Sequence, residues 1–407
     1  MVIMKKFVIL GRSFPKNRCF MEIYPRFFQP PQGSYFLFGP RGTGKSTFLN
    51  ASYPEALNID LLLPENYHRF SAHPDYLINL IQGNPQKKTI IIDEVQKVPA
   101  LLDVVHNLIE KKYDRQFILS GSSARKLKRR GTDLLAGRLV YRTLHPFLFG
   151  EVQRPLILDD VLQYGLLPVV LSAREPKDTL RAYVSLYLKE EVQAEGLVRN
   201  FGNFSRFLEA ISFSQGSILN ISHVSRDCQV ERKVVEGYLT ILEDILLAYR
   251  LPAFTRRRQR KLIAHDKFYL FDCGVYRQLR PAGPLDTPAE IDGAALESLV
   301  AQHLLAWNAY LNEPYQISYW HSYEHQEVDF VLYGPAGFYA IEVKNTIRLR
   351  PEDLRGLKIF QRDYPASQAL FLYRGTERVA FDRILCLPCT DFLSGLRLDS
   401  TNLPVIH

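Results

Sequence analysis

A chain of 407 residues, with 46% hydrophobic and 23% charged side chains, is too long for one hydrophobic core, so several modules are expected. No apolar run approaches the ~20 residues of a membrane-spanning helix, which argues against a membrane partner, and five cysteines with one C-x-x-C pair (Cys386, Cys389) argue against a disulfide scaffold or zinc ribbon. The net charge of +8 admits an acidic partner such as nucleic acid and serves solubility equally well.

Residues 1–30 are mixed basic and aromatic, and their sequence assigns no fold. Met4–Leu10 imitates a secretory start but breaks at Gly11-Arg12-Ser13 with no small-residue cleavage site, so a cytoplasmic location is expected. Tyr35-Phe36-Leu37-Phe38 then reads as a buried strand and Thr47-Phe48-Leu49 as the start of a helix. Between them Gly39-Pro40-Arg41-Gly42-Thr43-Gly44-Lys45-Ser46 fits G-x-x-x-x-G-K-[ST] without a mismatch. Glycines let backbone N–H groups close on phosphate oxygens at a helix N-terminus. Residues Gly39 to Thr47 are therefore the expected ATP-binding stretch, with Lys45 on the β/γ-phosphates and Ser46 in a Mg²⁺ shell. Ala56–Asp60 is a second strand, and Pro64–Gly83 reads as a loop followed by a helix. Thr89-Ile90-Ile91-Ile92-Asp93-Glu94 is a strand buried on both faces that ends in two carboxylates. At the C-terminal end of a parallel strand, Asp93 would support Mg²⁺ through water and Glu94 would polarise the attacking water. Gln116–Ser120 is a further strand, with Ser120 placed to sense the γ-phosphate. The basic string Ala124–Gly131 stands either as a solvated loop or as a contact to a phosphate backbone.

Together GPRGTGKS, TIIIDEVQ, FILSGSSARKL and LLAGRL resemble the prokaryotic AAA+ ATPases that carry a C-terminal restriction-endonuclease-like domain. The resemblance implies that Arg138 is a candidate arginine finger supplied to a neighbouring subunit, and hence a homo-oligomer; an ordinary surface arginine is the alternative. It covers nearly the whole chain after residue 30.

Apolar positions from Leu180 to Val192 share one helical face, as a lid over the nucleotide would require. Helices at Phe204–Ser214, Ile221–Cys228 and Arg232–Asp244 suggest a winged helix. The last of these should bury Val234, Val235, Tyr238, Leu239, Leu242 and Ile245 and expose Arg232, Lys233, Glu236, Thr240 and Glu243. Acids on an exposed face oppose phosphate, which favours packing or oligomerisation over groove reading. Thr255–Lys261 is a cationic hairpin tip that either binds phosphates or is a solvated turn. The last segment has the order αβββαβ, and Glu297, Asp329 and Glu342-Val343-Lys344 match the PD-(D/E)xK nuclease pattern. Residues two apart on a strand share a face, so Glu342 and Lys344 point together, and a turn at Gly334–Gly337 brings Asp329 beside them. Those three acids would hold Mg²⁺ while Lys344 acts on the water. A surface salt-bridge ladder is the competing reading.

The expected fold class is α/β: a P-loop AAA+ parallel sheet with a helical lid, a winged-helix middle module and a restriction-endonuclease-like C-terminal domain. The expected boundaries are 1–30 lead segment, 31–155 ATPase core, 156–200 lid, 201–285 middle module, 286–390 nuclease-like domain and 391–407 surface tail. The expected function is Mg²⁺-dependent ATP hydrolysis coupled to action on nucleic acid, DNA before RNA. An ATP-driven switch or protein-binding platform with a silent nuclease-like domain is the alternative.

Overall fold

A strand as apolar as Thr89–Asp93 must be covered on both faces. The computed structural model, which describes residues 24–112, 114–123, 138–194, 198, 200–255, 265–311, 314–322, 326–398 and 403, sets it inside a five-stranded sheet. The strands are β1 (Tyr35–Phe38), β2 (Leu57–Asp60), β3 (Thr89–Asp93), β4 (Gln116–Gly121) and β5 (Val140–Thr143), in the order β2-β3-β4-β1-β5 and all parallel. Helices α1 (Lys45–Ser52), α2 (Pro64–Ala72), α3 (Tyr76–Gln82) and α4 (Leu101–Glu110) connect them. Because β1 lies beside β4 and one strand from β3, the loops that follow these three strands meet at one end of the sheet. Residues 64–83 form two helices rather than one, since Pro74 turns the preceding His73 out of helical geometry.

Next come α5 (Leu158–Tyr164), α6 (Pro168–Leu171), α7 (Pro176–Ala182), a π-helical turn at Tyr183–Tyr187, and α8 (Leu188–Ala194). The following module runs α9 (Phe201–Ser212), β6 (Ser217–Ile218), α10 (Ile221–Asp227), α11 (Arg232–Asp244), β7 (Ala248–Leu251), β8 (Lys267–Leu270), with an antiparallel sheet β6-β8-β7. Asn200 and Asn220 start α9 and α10 by accepting from the N–H of Asn203 and His223, each at 3.1 Å. In α11 the buried face is Val235, Tyr238, Leu239, Ile241 and Leu242. Val234, expected inside, is 37% exposed because it precedes that face by 100° of helical turn, and Ile241 takes its place in the core. Glu243 is half-buried by its pair with Arg250 at 2.6 Å. The string Ala124–Gly131, the LLAG part of LLAGRL and the cationic tip Arg256–Lys261 lie outside the described residues.

The last module follows α12 (Cys273–Leu279) and consists of α13 (Pro288–Tyr310), β9 (Gln316–His321), β10 (Glu327–Gly334), β11 (Gly337–Lys344), α14 (Arg355–Asp363), β12 (Gln368–Tyr373), β13 (Val379–Phe381), β14 (Ile384–Pro388) and α15 (Cys389–Gly395). Its sheet order is β13-β14-β12-β11-β10-β9. Residues 391–407 are not simply a surface tail: α15 buries Phe392 and Leu393, and Leu396 and Leu403 are buried too. Phe392, Leu393 and Leu396 form the i, i+1, i+4 stripe of a short helix that has to be covered.

Among the described residues the buried apolar side chains fall into four clusters, two of them large. One lies within the five-stranded sheet and its helices. The other is continuous from Phe147 and Leu162 through Tyr183, Phe204, Leu239 and Tyr269 to Leu299, Phe330 and Leu393, so the helices α5 to α8, the middle module and the C-terminal sheet share it. His303 of α13 is fully buried there, with Nδ1 bonded to Leu299 O at 2.8 Å and Nε2 accepting from Phe149 N–H at 3.0 Å. Burial pushes its pKa down to about 4. The unfolded chain therefore takes up a proton at His303 as pH falls below about 6.5 and the folded chain does not, so stability is lost from there down to about pH 4. Denaturant titrations should show this contribution falling by roughly 1.4 kcal/mol per pH unit across the window, and His303→Gln should remove that part of the slope.

Candidate functional site

The loop between β1 and α1 has Gly42 at φ +83° and Gly44 at φ +85°, values that side chains with a Cβ rarely adopt. A Cβ on Gly42 would also sit 2.9 Å from Val169 Cγ1, so the loop is closed against α6. A cavity of about 510 Å³ opens over the loop, lined by Arg41 to Phe48, by Glu94 and by Pro168, Val169 and Ser172. All of Arg41, Gly42, Thr43, Gly44, Lys45, Ser46 and Thr47 face it, while Gly39 and Pro40 contribute carbonyls beneath: Lys45 Nζ donates to Gly39 O at 2.8 Å and to Pro40 O at 3.3 Å. Burial lowers the pKa of Lys45, and the charges of Glu94 and Asp93 work against that shift.

Asp93 is the hub of the site. One carboxylate oxygen accepts from Ser46 Oγ at 2.5 Å, and the other accepts from the hydroxyl of Ser120, which is fully buried. Ser120 thus stands on Asp93 and orients it. Glu94, at φ +58°, is a non-glycine residue in left-handed geometry, a cost of the kind held at functional positions. Burial raises its pKa, and the like charge of Asp93 adds to that while Lys45 opposes it. Gln96, which the sequence reading passed over within the DEVQ string, donates to Glu94 Oε2 at 2.5 Å and to Ser122 Oγ at 3.2 Å, fixing the carboxylate against the end of β4. Arg138 is elsewhere: it pairs with Glu110 and is not among the residues lining the cavity.

Two connections were invisible in sequence. Arg26, in the lead segment, is buried in an ion pair with Glu151 at 3.3 Å, donates to Thr43 O at 3.2 Å and lies 4.5 Å over the Phe147 ring. Arg41 lies over the Tyr187 ring at 4.5 Å and pairs with Glu190 and Glu191, while Tyr183 donates its hydroxyl to Arg41 O at 2.8 Å. The π-helical turn therefore grips the phosphate loop.

At the C-terminal module, β10 and β11 pair antiparallel from Gly334↔Gly337 to Phe330↔Ile341, and Asp329 Oδ2 accepts from Val343 N–H at 2.9 Å. Lys344 Nζ is 3.0 Å from Glu342 Oε1. Asp329, Glu342 and Lys344 thus lie together at the ends of β10 and β11. Glu297 reaches the same region from α13, but it and Asp329 meet a residue absent from the sequence reading: Lys267 Nζ lies 3.2 Å from Glu297 Oε1 and from Asp329 Oδ1, and pairs with Glu327 as well. Burial disfavours this ammonium, yet the carboxylates hold its pKa well above the usual range. Burial, with the charge of Asp329, raises the pKa of Glu297 to about 7 and that of Glu342 well above the ordinary carboxylate range. Among the described residues no group of three or more His, Cys, Asp or Glu is placed to hold a metal ion.

Comparison with known proteins divides the chain into three matched spans. Residues 156–286 match a domain of unknown function (DUF8612), and residues 292–392 match another (DUF4143). An uncharacterized protein of Haemophilus influenzae is 25% identical over an alignment of 271 positions that covers 59% of this chain and 67% of that protein. A solved structure described as replication initiator DnaA bound to AMPPCP and single-stranded DNA overlaps 52% of this chain and 82% of that one at 12% identity, with a TM-score of 0.27 that supports no argument about this chain. No helix among the described residues is long and apolar enough to cross a membrane. Residues 32–153 match the AAA domain family, and this span contains the phosphate loop, Asp93, Glu94 and Ser120.

Proposed function

We propose that the chain hydrolyses ATP with Mg²⁺ and couples that turnover to action on nucleic acid through a nuclease-like C-terminal domain. The observation that carries the ATPase part is the Ser46–Asp93–Ser120 network beside Lys45 and Glu94 at the mouth of one cavity. Ser46 and Asp93 offer adjacent hard oxygens of the kind Mg²⁺ prefers, and when bound the ion would neutralise phosphate charge. The chain's own groups do the rest. The loop N–H groups and Lys45 hold the phosphates, Ser120 orients Asp93, and Gln96 orients Glu94 toward a water. A raised pKa in Glu94 makes it a stronger base once ionised. Arg138 acts on a neighbouring copy in a homo-oligomer, in keeping with its place outside this chain's own cavity. The order of helices and strands in 201–285 supports the winged-helix reading of that module, and Arg232 on its exposed helix is already engaged by Glu236 at 3.1 Å, which favours packing over groove reading.

For the C-terminal domain, Asp329, Glu342 and Lys344 on adjoining strands support the nuclease-like reading. A specific observation favours the second reading, an ATP-driven switch with a silent domain: Lys267 already neutralises Glu297 and Asp329. The test is ATP turnover with and without single- and double-stranded DNA, with the DNA followed on gels. Turnover stimulated by DNA and weakened by salt supports action on nucleic acid, and cleavage lost in Glu342→Ala adds the nuclease step. Turnover indifferent to DNA, with the DNA intact, leaves the switch.

A further inference from the structure

Lys267 belongs to the middle sheet, on β8, yet its ammonium ends among the acids of the C-terminal module. At 2% exposure it is sealed from water. Its partners come from two elements, Glu297 of α13 and Glu327 and Asp329 of β10. Tyr269, two residues along the strand, donates its hydroxyl to Glu297 at 2.6 Å. An ammonium has three donors, and three carboxylates surround this one. A charge so buried persists only when it is paired, and here the pairing uses two of the acids that the nuclease pattern assigns to a metal. Glu342 is 6% exposed, Lys344 lies on Oε1, and Oε2 has no hydrogen-bond partner among the described residues.

Nor is Lys267 free to leave. The next three residues of β8, Phe268, Tyr269 and Leu270, lie in the same continuous core as Leu299 of α13 and Phe330 of β10. Withdrawing the lysine means opening that core.

We propose that Lys267 is a built-in cation that takes the place of a divalent metal at Glu297 and Asp329, so that the C-terminal centre binds no metal and does not cut. The inference rests on the nuclease-like reading of these acids for its consequence, but the substitution of lysine for metal is tested by binding alone. The probe is Mn²⁺ without nucleotide, followed by electron paramagnetic resonance on full-length chain carrying Asp93→Ala to silence the ATPase site. That parent is expected to leave the Mn²⁺ signal unchanged. Adding Lys267→Ala should create one bound Mn²⁺ per chain, and a further Glu297→Gln should abolish it; Lys267→Arg should create none. Mn²⁺ held by the parent and lost with Glu297→Gln overturns the proposal, as does a folded Lys267→Ala chain that holds none. Should Lys267→Ala fail to fold, the parent titration still decides: binding at the acids overturns the proposal and silence upholds it. The two readings fail separately. Mn²⁺ gained without DNA cleavage upholds the built-in cation and removes the nuclease, whereas Mg²⁺-dependent cleavage by the wild type that is lost in Glu342→Ala does the reverse.

Discussion

Lys45→Ala is expected to abolish nucleotide binding and hydrolysis together, with turnover reduced roughly a hundred- to a thousand-fold, the usual effect of removing a preorganised electrostatic donor. The lysine is 6% exposed, and its ammonium is held on two loop carbonyls at the floor of the cavity, so it is poised before any phosphate arrives. Its loss also leaves Asp93 and Glu94 without their nearby positive charge. Glu94→Gln separates the two effects, because it keeps the lysine and removes the base. That variant should bind ATP at close to wild-type strength while hydrolysis falls. Titration calorimetry for binding and phosphate release for turnover distinguish them. A Lys45→Ala chain that still hydrolyses ATP at near wild-type rate would place the nucleotide elsewhere.

Arg26→Ala should cost about 3–5 kcal/mol of stability, the typical price of stranding one half of a buried ion pair. Glu151 is fully buried, accepts from Leu148 N–H at 2.9 Å and from Phe27 N–H at 2.5 Å, and has Arg26 as its cationic partner. Burial already raises its pKa, against which Arg26 works. Without the arginine the folded pKa rises further while the unfolded value stays near 4.5. A carboxyl raised in this way loses stability as pH climbs above the unfolded value, so the defect should be mild near pH 4.5 and grow toward neutrality. Denaturant titrations at several pH values measure it. A flat pH profile for Arg26→Ala would show that the pair contributes little. Nucleotide affinity should drop as well, because Arg26 also braces the phosphate loop through Thr43 O.

The parts of the site that were legible in sequence are those whose chemistry demands neighbours along the chain. A phosphate loop needs consecutive N–H groups, and a strand that presents Asp93 and Glu94 at its end needs an unbroken apolar run before them. Each fits within one short string. Lys267, Arg26 and Gln96 do not. Lys267 lies 30 residues before Glu297 and 62 before Asp329, on another sheet, and no local periodicity announces it. Arg26 meets Glu151 across the ATPase core from a segment with no regular pattern. The matching PD-(D/E)xK residues were found, but what their acids face depends on a strand of a different module, and sequence motifs carry no such information. The misreading of 391–407 has a similar cause: α15 is only seven residues long, too short for its stripe to stand out from a loop.

The core shared by helices α5 to α8, the middle sheet and the C-terminal sheet bears on how work could be transmitted. Close-packed interiors pass strain on instead of absorbing it. Tyr183 grips the phosphate loop through Arg41 O and belongs to the same apolar body as Phe330 and Leu393. A tilt imposed on that tyrosine by phosphate-loop rearrangement would be carried through some two hundred residues as if by a lever arm, with its fulcrum where the separate ATPase core ends. Three spans are matched separately along the chain, yet the second and third share one apolar body among the described residues.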